Sequence, residues 1–444
     1  MITPRPFLPL LLVMLLMSAP GVWGATVKDR EAAVRGDKSA MEGNAHWIYN
    51  DFHRGFAAAQ LTGKPLLVVL RCVPCLACAG IDARVLEESE LSPLLDQFVR
   101  VRVINANALD LSRFQFDYDL SFSTMFFNGD GTVYGRYGSW THQKDARDET
   151  TAGFRRALES VLAIHREYPA NREALEGKQG EPVDFRTPVE MPTLKDRYTR
   201  NLDWEGKVVQ SCVHCHQIGD AHRTLYRDRK EPIPSRWVYP FPAPETIGLT
   251  LAADHVSRVV GVKADSIAAR AGFRSGDDVV SIAGQPLVSV ADVSWVLHRA
   301  PEKGAIEAVV RRGDLAERVT IELPDGWRSG ADISRRVGTW AMRAMALGGM
   351  VLEDLADGER ERRDIDAGRM ALGVAHVGQY GEHAAAKNAG FQKEDVVVEM
   401  DGLSNRHTES ELIGHLLRAR EPGERVAVTV LRGERRIELE LPMQ

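Results

Sequence analysis

The C-terminal half of the chain repeats itself. Ala271-Gly272-Phe273 recurs as Ala389-Gly390-Phe391, and Asp278-Val279-Val280 is echoed by Asp395-Val396-Val397. Gly284 matches Gly402, Arg312-Gly313 matches Arg432-Gly433, and Glu322-Leu323-Pro324 matches Glu440-Leu441-Pro442. The offset stays near about 118 residues, the length of a whole domain, so two copies of one unit lie in tandem and a solenoid of short repeats is excluded. The copies are placed at residues 245–327 and 336–444. A chain of 444 residues then leaves room for further units before them.

The N-terminus reads as a leader. Met1 to Pro6 carries one positive charge, Arg5; Phe7 to Met17 is almost unbroken apolar sequence; Ser18 to Ala25 is small, with Val22 and Gly24 suited to the positions before a cleavage site. This is the pattern of a secretory signal peptide over residues 1–24. The apolar run is shorter than the roughly 20 residues that a membrane span needs, which disfavours an uncleaved anchor. No cysteine follows the small residues, against a lipoprotein, and no other stretch is long and apolar enough to span. The expected location is the periplasm or another part of the cell envelope, with no transmembrane segment after cleavage. The net charge of -6 offers no basic footprint for nucleic acid.

Export allows disulfides, yet the chain has only five cysteines, Cys72, Cys75, Cys78, Cys212 and Cys215, in two tight clusters. A stapled scaffold would scatter them, and an odd number points to chemistry. At the first cluster, Leu66 to Leu70 is a buried-strand run leading into Cys72-Val73-Pro74-Cys75, with a helix expected through about Glu88. A thiol at the start of a helix is favoured as the thiolate, the attacking species in disulfide exchange. Strand Phe98–Ile104, a hairpin of Ser123–Phe127 and Thr132–Tyr137, and an amphipathic helix Thr150–Tyr168 complete a β-α-β, hairpin, helix order, preceded by a helical pattern over Ala45–Gly63. Gly63-Lys64-Pro65-Leu66-Leu67-Val68, the Cys72–Cys75 motif and Asn128-Gly129-Asp130-Gly131 resemble the thioredoxin superfamily over residues 40–170. The resemblance implies Cys72 as nucleophile and Cys75 as resolving thiol. Two features depart from it: Phe122-Ser123-Thr124 stands where a cis-proline is usual, and Cys78 is extra. Cys78 allows a Cys75–Cys78 pair, or three thiols that hold copper or zinc.

Residues 169–192 are charged and weakly patterned, a linker. The segment 190–244 carries Cys212-Val213-His214-Cys215-His216, the spacing of c-type haem attachment: two thiols for the vinyl groups and His216 as axial ligand to iron. No methionine ligand follows before Pro244, which leaves His222 as the nearest second ligand; a five-coordinate iron or a ligand from another domain are the other arrangements. Zinc held by this cluster, or a plain dithiol, are the alternatives. The prolines from Pro232 to Pro244 predict an extended stretch.

In the first repeat, Ile247-Gly248-Leu249 precedes an alternating strand, then come Ala271-Gly272-Phe273, Gly276-Asp277-Asp278-Val279-Val280, and a helix over Ser289–His298. These resemble bacterial PDZ domains of the HtrA type. The resemblance implies that a peptide C-terminus adds as a strand while amides around Ile247, Gly248 and Leu249 cradle its carboxylate. In the second repeat Gly348-Gly349-Met350-Val351-Leu352 is the counterpart loop, and a charged stretch from Asp354 to Asp366 interrupts the early strands; a packing role is expected there. HtrA relatives are serine proteases, but the chain has no Gly-Asn-Ser-Gly-Gly stretch and no room for a protease domain. The whole order resembles a bacterial envelope family joining thioredoxin-like and PDZ domains, some of whose members carry selenocysteine. The expected fold class is multidomain α/β and α+β: a thioredoxin-like domain, a short helical CxxCH segment and two tandem PDZ-like domains. The expected function is thiol–disulfide oxidoreductase or electron-transfer chemistry through Cys72 and Cys75, with haem c as tentative cofactor and a protein partner on the PDZ modules. The rival is a non-catalytic PDZ scaffold whose cysteines bind copper or zinc.

Overall fold

The computed structural model describes residues 27–73, 89–120, 122–138 and 151–444. The leader, Cys75, Cys78 and the helix expected after Cys72 lie outside the described residues.

The N-terminal domain is built on strands β1 (Ile48–Tyr49), β2 (Leu66–Arg71), β3 (Val99–Val103), β4 (Phe122–Phe127) and β5 (Val133–Tyr137), in the order β1-β3-β2-β4-β5. β1, β3 and β2 run parallel; β4 and β5 are antiparallel. All six residues of β2 are buried, as a central strand covered on both faces requires. Its side chains alternate between two cores. Leu66, Val68 and Leu70 meet Phe52 and Phe56 of the helix Phe52–Thr62. Leu67 and Val69 meet Phe154, Leu158 and Val161 of the helix Thr151–Glu167. The helix expected from Ala45 begins only at Phe52. The Asp51 side chain accepts from the Arg54 amide and caps it there, while Ile48 and Tyr49 pair with β3 instead.

The stretch read as a linker is packed. Lys178 is completely buried and ion-paired at 2.8 Å with the equally buried Asp292 of the first repeat. In the segment that follows, the long helix is Cys215–Asp228, and the proline-rich stretch contains a short helical turn, Ser235–Val238.

The first repeat holds β6 (Leu249–Leu251) paired with β7 (Val259–Val262), and a sheet β11-β10-β8-β9 made of β8 (Asp278–Ile282), β9 (Gln285–Pro286), β10 (Gly304–Arg312) and β11 (Leu315–Leu323). The second has β12 (Met350–Asp354), β13 (Leu372–Val377), β14 (Val396–Met400), β15 (Arg425–Arg432) and β16 (Arg435–Pro442) in chain order across one sheet. The sequence repeat has a physical core. Arg312 forks onto Asp277 at 2.8 and 3.1 Å and onto the Gly272 carbonyl; Arg432 forks onto Asp395 at 2.7 and 2.8 Å and onto the Gly390 carbonyl. The structural equivalent of Asp395 is therefore Asp277, one residue before the match read from the sequence; Asp278 instead binds Arg258.

The units are joined by buried contacts. The first-repeat helix Val290–Arg299 packs on β5, where a Cβ at Gly135 would lie 2.6 Å from Val288. Arg336, the first residue of the second repeat, is buried against Asp117 and Asp119 of the N-terminal domain.

Candidate functional site

Cys72 follows the last residue of β2 and is half-buried. On β4, Phe122, Ser123 and Thr124 pair in register with Arg71, Leu70 and Val69, the three residues that lead into Cys72. Arg71 is buried and donates to the Cys72 carbonyl at 3.0 Å, placing a fixed positive charge beside the motif. The decisive neighbour comes from 142 residues away: His214 Nδ1 lies 3.3 Å from Cys72 Sγ. The two cysteine motifs, separate in sequence, meet in space.

A single buried side chain fastens the second motif to the first domain. Asn107 Nδ2 donates to the Thr199 carbonyl at 2.7 Å and the Ser211 carbonyl at 2.8 Å, and Asn107 Oδ1 accepts from the Val213 amide at 2.7 Å. His214 is then set by the start of its helix: the Gln217 amide donates to its carbonyl, and its own amide donates to Gln217 Oε1 at 2.8 Å. Cys212 is 9% exposed and shares an apolar cluster with Val73 and Ile104; its thiol lies 3.7 Å from the Ile104 carbonyl. Cys215 packs on the cluster that contains Leu70, as does half-buried Tyr118, whose hydroxyl pKa is pushed up by burial and then by Cys215. The residues flanking Cys72 thus pack in the same two clusters as Cys212 and Cys215.

These residues do not fit a c-type haem in this arrangement. Cys212 is enclosed between the segment and the N-terminal domain, and Val213 is fully packed. His216, the expected iron ligand, hydrogen-bonds Asp220 at 3.2 Å. His222 stacks on Trp237 with ring centroids 4.0 Å apart, and burial, then Arg223, lowers its pKa to about 4. His216 and His222 share one helix, separated by about 9 Å along its axis, so they cannot face each other across one iron. Among the described residues no group of three or more His, Cys, Asp or Glu side chains is arranged to hold a metal ion.

In the first repeat, Gly248 adopts φ 82°, and a Cβ there would lie 2.2 Å from Ser266, so glycine is required by the protein's own packing. Its amide donates to the Glu245 carbonyl at 2.9 Å, and Ile247 and Leu249 turn into the core, so the expected carboxylate cradle is engaged internally at Gly248. β6 pairs only with β7, which leaves its other edge without a strand partner among the described residues. The second repeat differs. Glu409 accepts the Leu352 amide of β12 at 2.8 Å and holds Arg343 at 2.9 and 2.6 Å, both buried, so that amide of β12 is engaged by the chain itself.

The sequence assigned His216 to iron and offered His214 only as a zinc ligand beside the cysteines, not as a neighbour of Cys72. The motif names His214, but nothing local connects it to Cys72. Asn107 and Arg71 carry no motif signal at all.

Comparison with known proteins gives two matches to families. Residues 47–129 match a thioredoxin-like family, and residues 258–312 match the PDZ domain. The chain therefore contains a thioredoxin-like domain and a PDZ domain. No curated protein matches the chain. A similar solved structure is an HtrA-type protease, AlgW, in a serine-to-alanine variant with a decapeptide: identity is 13%, covering 42% of this chain and 53% of that one, with a TM-score of 0.22. The match thus spans about half of that protein's length, and likeness at this level carries no argument. Among the described residues no helix is long and apolar enough to cross a membrane.

Proposed function

We propose that this chain is an exported thiol–disulfide exchange protein of the cell envelope whose PDZ module recruits a protein partner. One observation carries the redox reading: Cys72, at the end of the central strand of a thioredoxin-like sheet, has His214 Nδ1 at 3.3 Å. An imidazole at hydrogen-bond distance stabilises a thiolate or exchanges its proton, which raises the nucleophile available for attack. The buried Arg71 adds positive charge behind the sulfur's own backbone. The apolar signal-like N-terminus supports export, where disulfide substrates occur.

For partner binding, the edge of β6 in the PDZ domain is the surface on which an incoming strand would add. Residues 336–444 read as a second PDZ-like module, on the repeated Arg–Asp–Gly network, with a structural role supported by Glu409 engaging the Leu352 amide of β12. The rival scaffold reading, with thiols as metal ligands, turns at the first cluster on Cys75 and Cys78, which lie outside the described residues.

The test is reduction of insulin disulfides by the mature protein with a thiol reductant. Cys72→Ser is expected to fall to the uncatalysed rate. Activity equal to wild type in that variant would remove Cys72 as nucleophile and with it the reading.

A further inference from the structure

We infer that Cys212 and Cys215 form a second dithiol that resolves disulfides made at Cys72, within the same chain. This rests on the thiol–disulfide reading above and names the resolving partner in it. The ring of His214, one of the two residues between the thiols, reaches Cys72 Sγ at 3.3 Å. Val73, on one side of Cys72, shares a cluster with Cys212; Leu70, on the other, belongs to the cluster against which Cys215 packs. Asn107 fixes the backbone there, donating to the Ser211 carbonyl and accepting from the Val213 amide, and donates also to the Thr199 carbonyl. Cys212 and Cys215 stand three residues apart, with Cys215 the first residue of its helix, so a disulfide between them closes only a short loop.

The steps balance. Cys72 thiolate attacks a disulfide of a protein substrate, forming a mixed disulfide and releasing one substrate thiolate. Cys215 thiolate attacks Cys72 Sγ, forming a Cys72–Cys215 disulfide and releasing the second substrate thiolate. Cys212 thiolate attacks Cys215 Sγ, forming Cys212–Cys215 and returning Cys72 as thiolate. The substrate gains two electrons and two protons; the Cys212/Cys215 dithiol loses them. Every step is reversible, and the two reduction potentials set the direction.

The experiment uses the full mature chain carrying Cys75→Ser and Cys78→Ser, treated with glutathione disulfide, quenched with N-ethylmaleimide in acid, digested without reduction and mapped by mass spectrometry. With Cys212 and Cys215 present, the expected product is a Cys212–Cys215 disulfide with Cys72 as thiol. With Cys212→Ser, or Cys212→Ala to keep the site apolar, the Cys72–Cys215 cross-link is expected to accumulate. His214→Ala is expected to slow its formation about 10-fold, the worth of one hydrogen bond to a charged group. If Cys72 is glutathionylated and stays so in all these proteins, the inference is overturned while exchange at Cys72 stands. If Cys72 never reacts with glutathione disulfide, the underlying reading fails as well. Stoichiometric zinc that is lost on Cys212→Ala overturns the relay in favour of a metal site.

Discussion

Two glycines with left-handed backbone separate conformation from crowding. Gly349 has φ 87°, and a Cβ there would lie 2.1 Å from the His383 carbonyl oxygen, which is backbone and cannot swing aside. Gly402 has φ 75° and open space around it. Gly402→Ala is expected to cost roughly 1 kcal/mol, the left-handed penalty alone. Gly349→Ala is expected to cost about 3 kcal/mol or more, because the loop must also move. Urea unfolding midpoints of the two variants compare them directly; equal shifts would refute the crowding argument. At Cys72 the same scale of reasoning applies: what matters is one imidazole 3.3 Å away, and no property of the motif's own four residues supplies it.

At the level of elements, the packed 169–192 stretch is held by charge as well as by apolar contact. Lys178 pairs with Asp292, which also accepts the Val288 amide at 2.8 Å and the Arg136 amide at 3.2 Å, joining three segments. Arg136 lies over the Trp295 ring at 3.7 Å, and burial lowers its pKa to about 9. Burial lowers the Lys178 pKa as well. Removing one member leaves the other exposed to the cost of an uncompensated buried charge, on the order of 3–5 kcal/mol. Lys178→Met is expected to reach that range, since the buried Asp292 keeps its backbone amides but loses its ion-pair partner. Asp292→Asn is expected to be milder, because it keeps a backbone acceptor and Lys178 can shed its proton. Thermal melts of the two variants decide the matter: a greater loss in Asp292→Asn would refute it.

Across the whole molecule, the units meet at an aromatic column. Phe241 stacks on His298 with centroids 4.3 Å apart, and Trp237 and Trp295 flank the same ring. Burial, followed by Arg328, Arg236, Arg299 and Arg336, lowers the His298 pKa to about 3. The folded value lies below the unfolded value of about 6.5, so folding favours the neutral ring. Its contribution is complete above about pH 6.5 and is lost as pH falls from there toward 3. Asp117, pushed up to about 6 by burial, acts with the opposite sign, so a variant comparison is needed. The fall in melting temperature between pH 7.5 and pH 5 is expected to be smaller in His298→Phe than in wild type; identical pH profiles would exclude His298 as the source.

The sequence by itself determined the units of this protein. An unbroken apolar run beside Cys72 can only be a central strand, alternation along it feeds two cores, and a domain-length repeat forces two like units, since each pattern acts through neighbours a few residues away or through a copy of itself. The N-terminal sheet, its hairpin, the helices Thr151–Glu167 and Val290–Arg299, and the presence of two thiol motifs were all legible on those terms. What only the tertiary structure decided is how the units meet. Asn107 bonding Val213, Lys178 reaching Asp292, and Glu409 engaging the Leu352 amide are single long-range pairs with no periodicity to read. The same holds for His214. The haem-like spacing singled out His216 as the ligand to iron, whereas the docking of the segment puts the ring of His214 on Cys72.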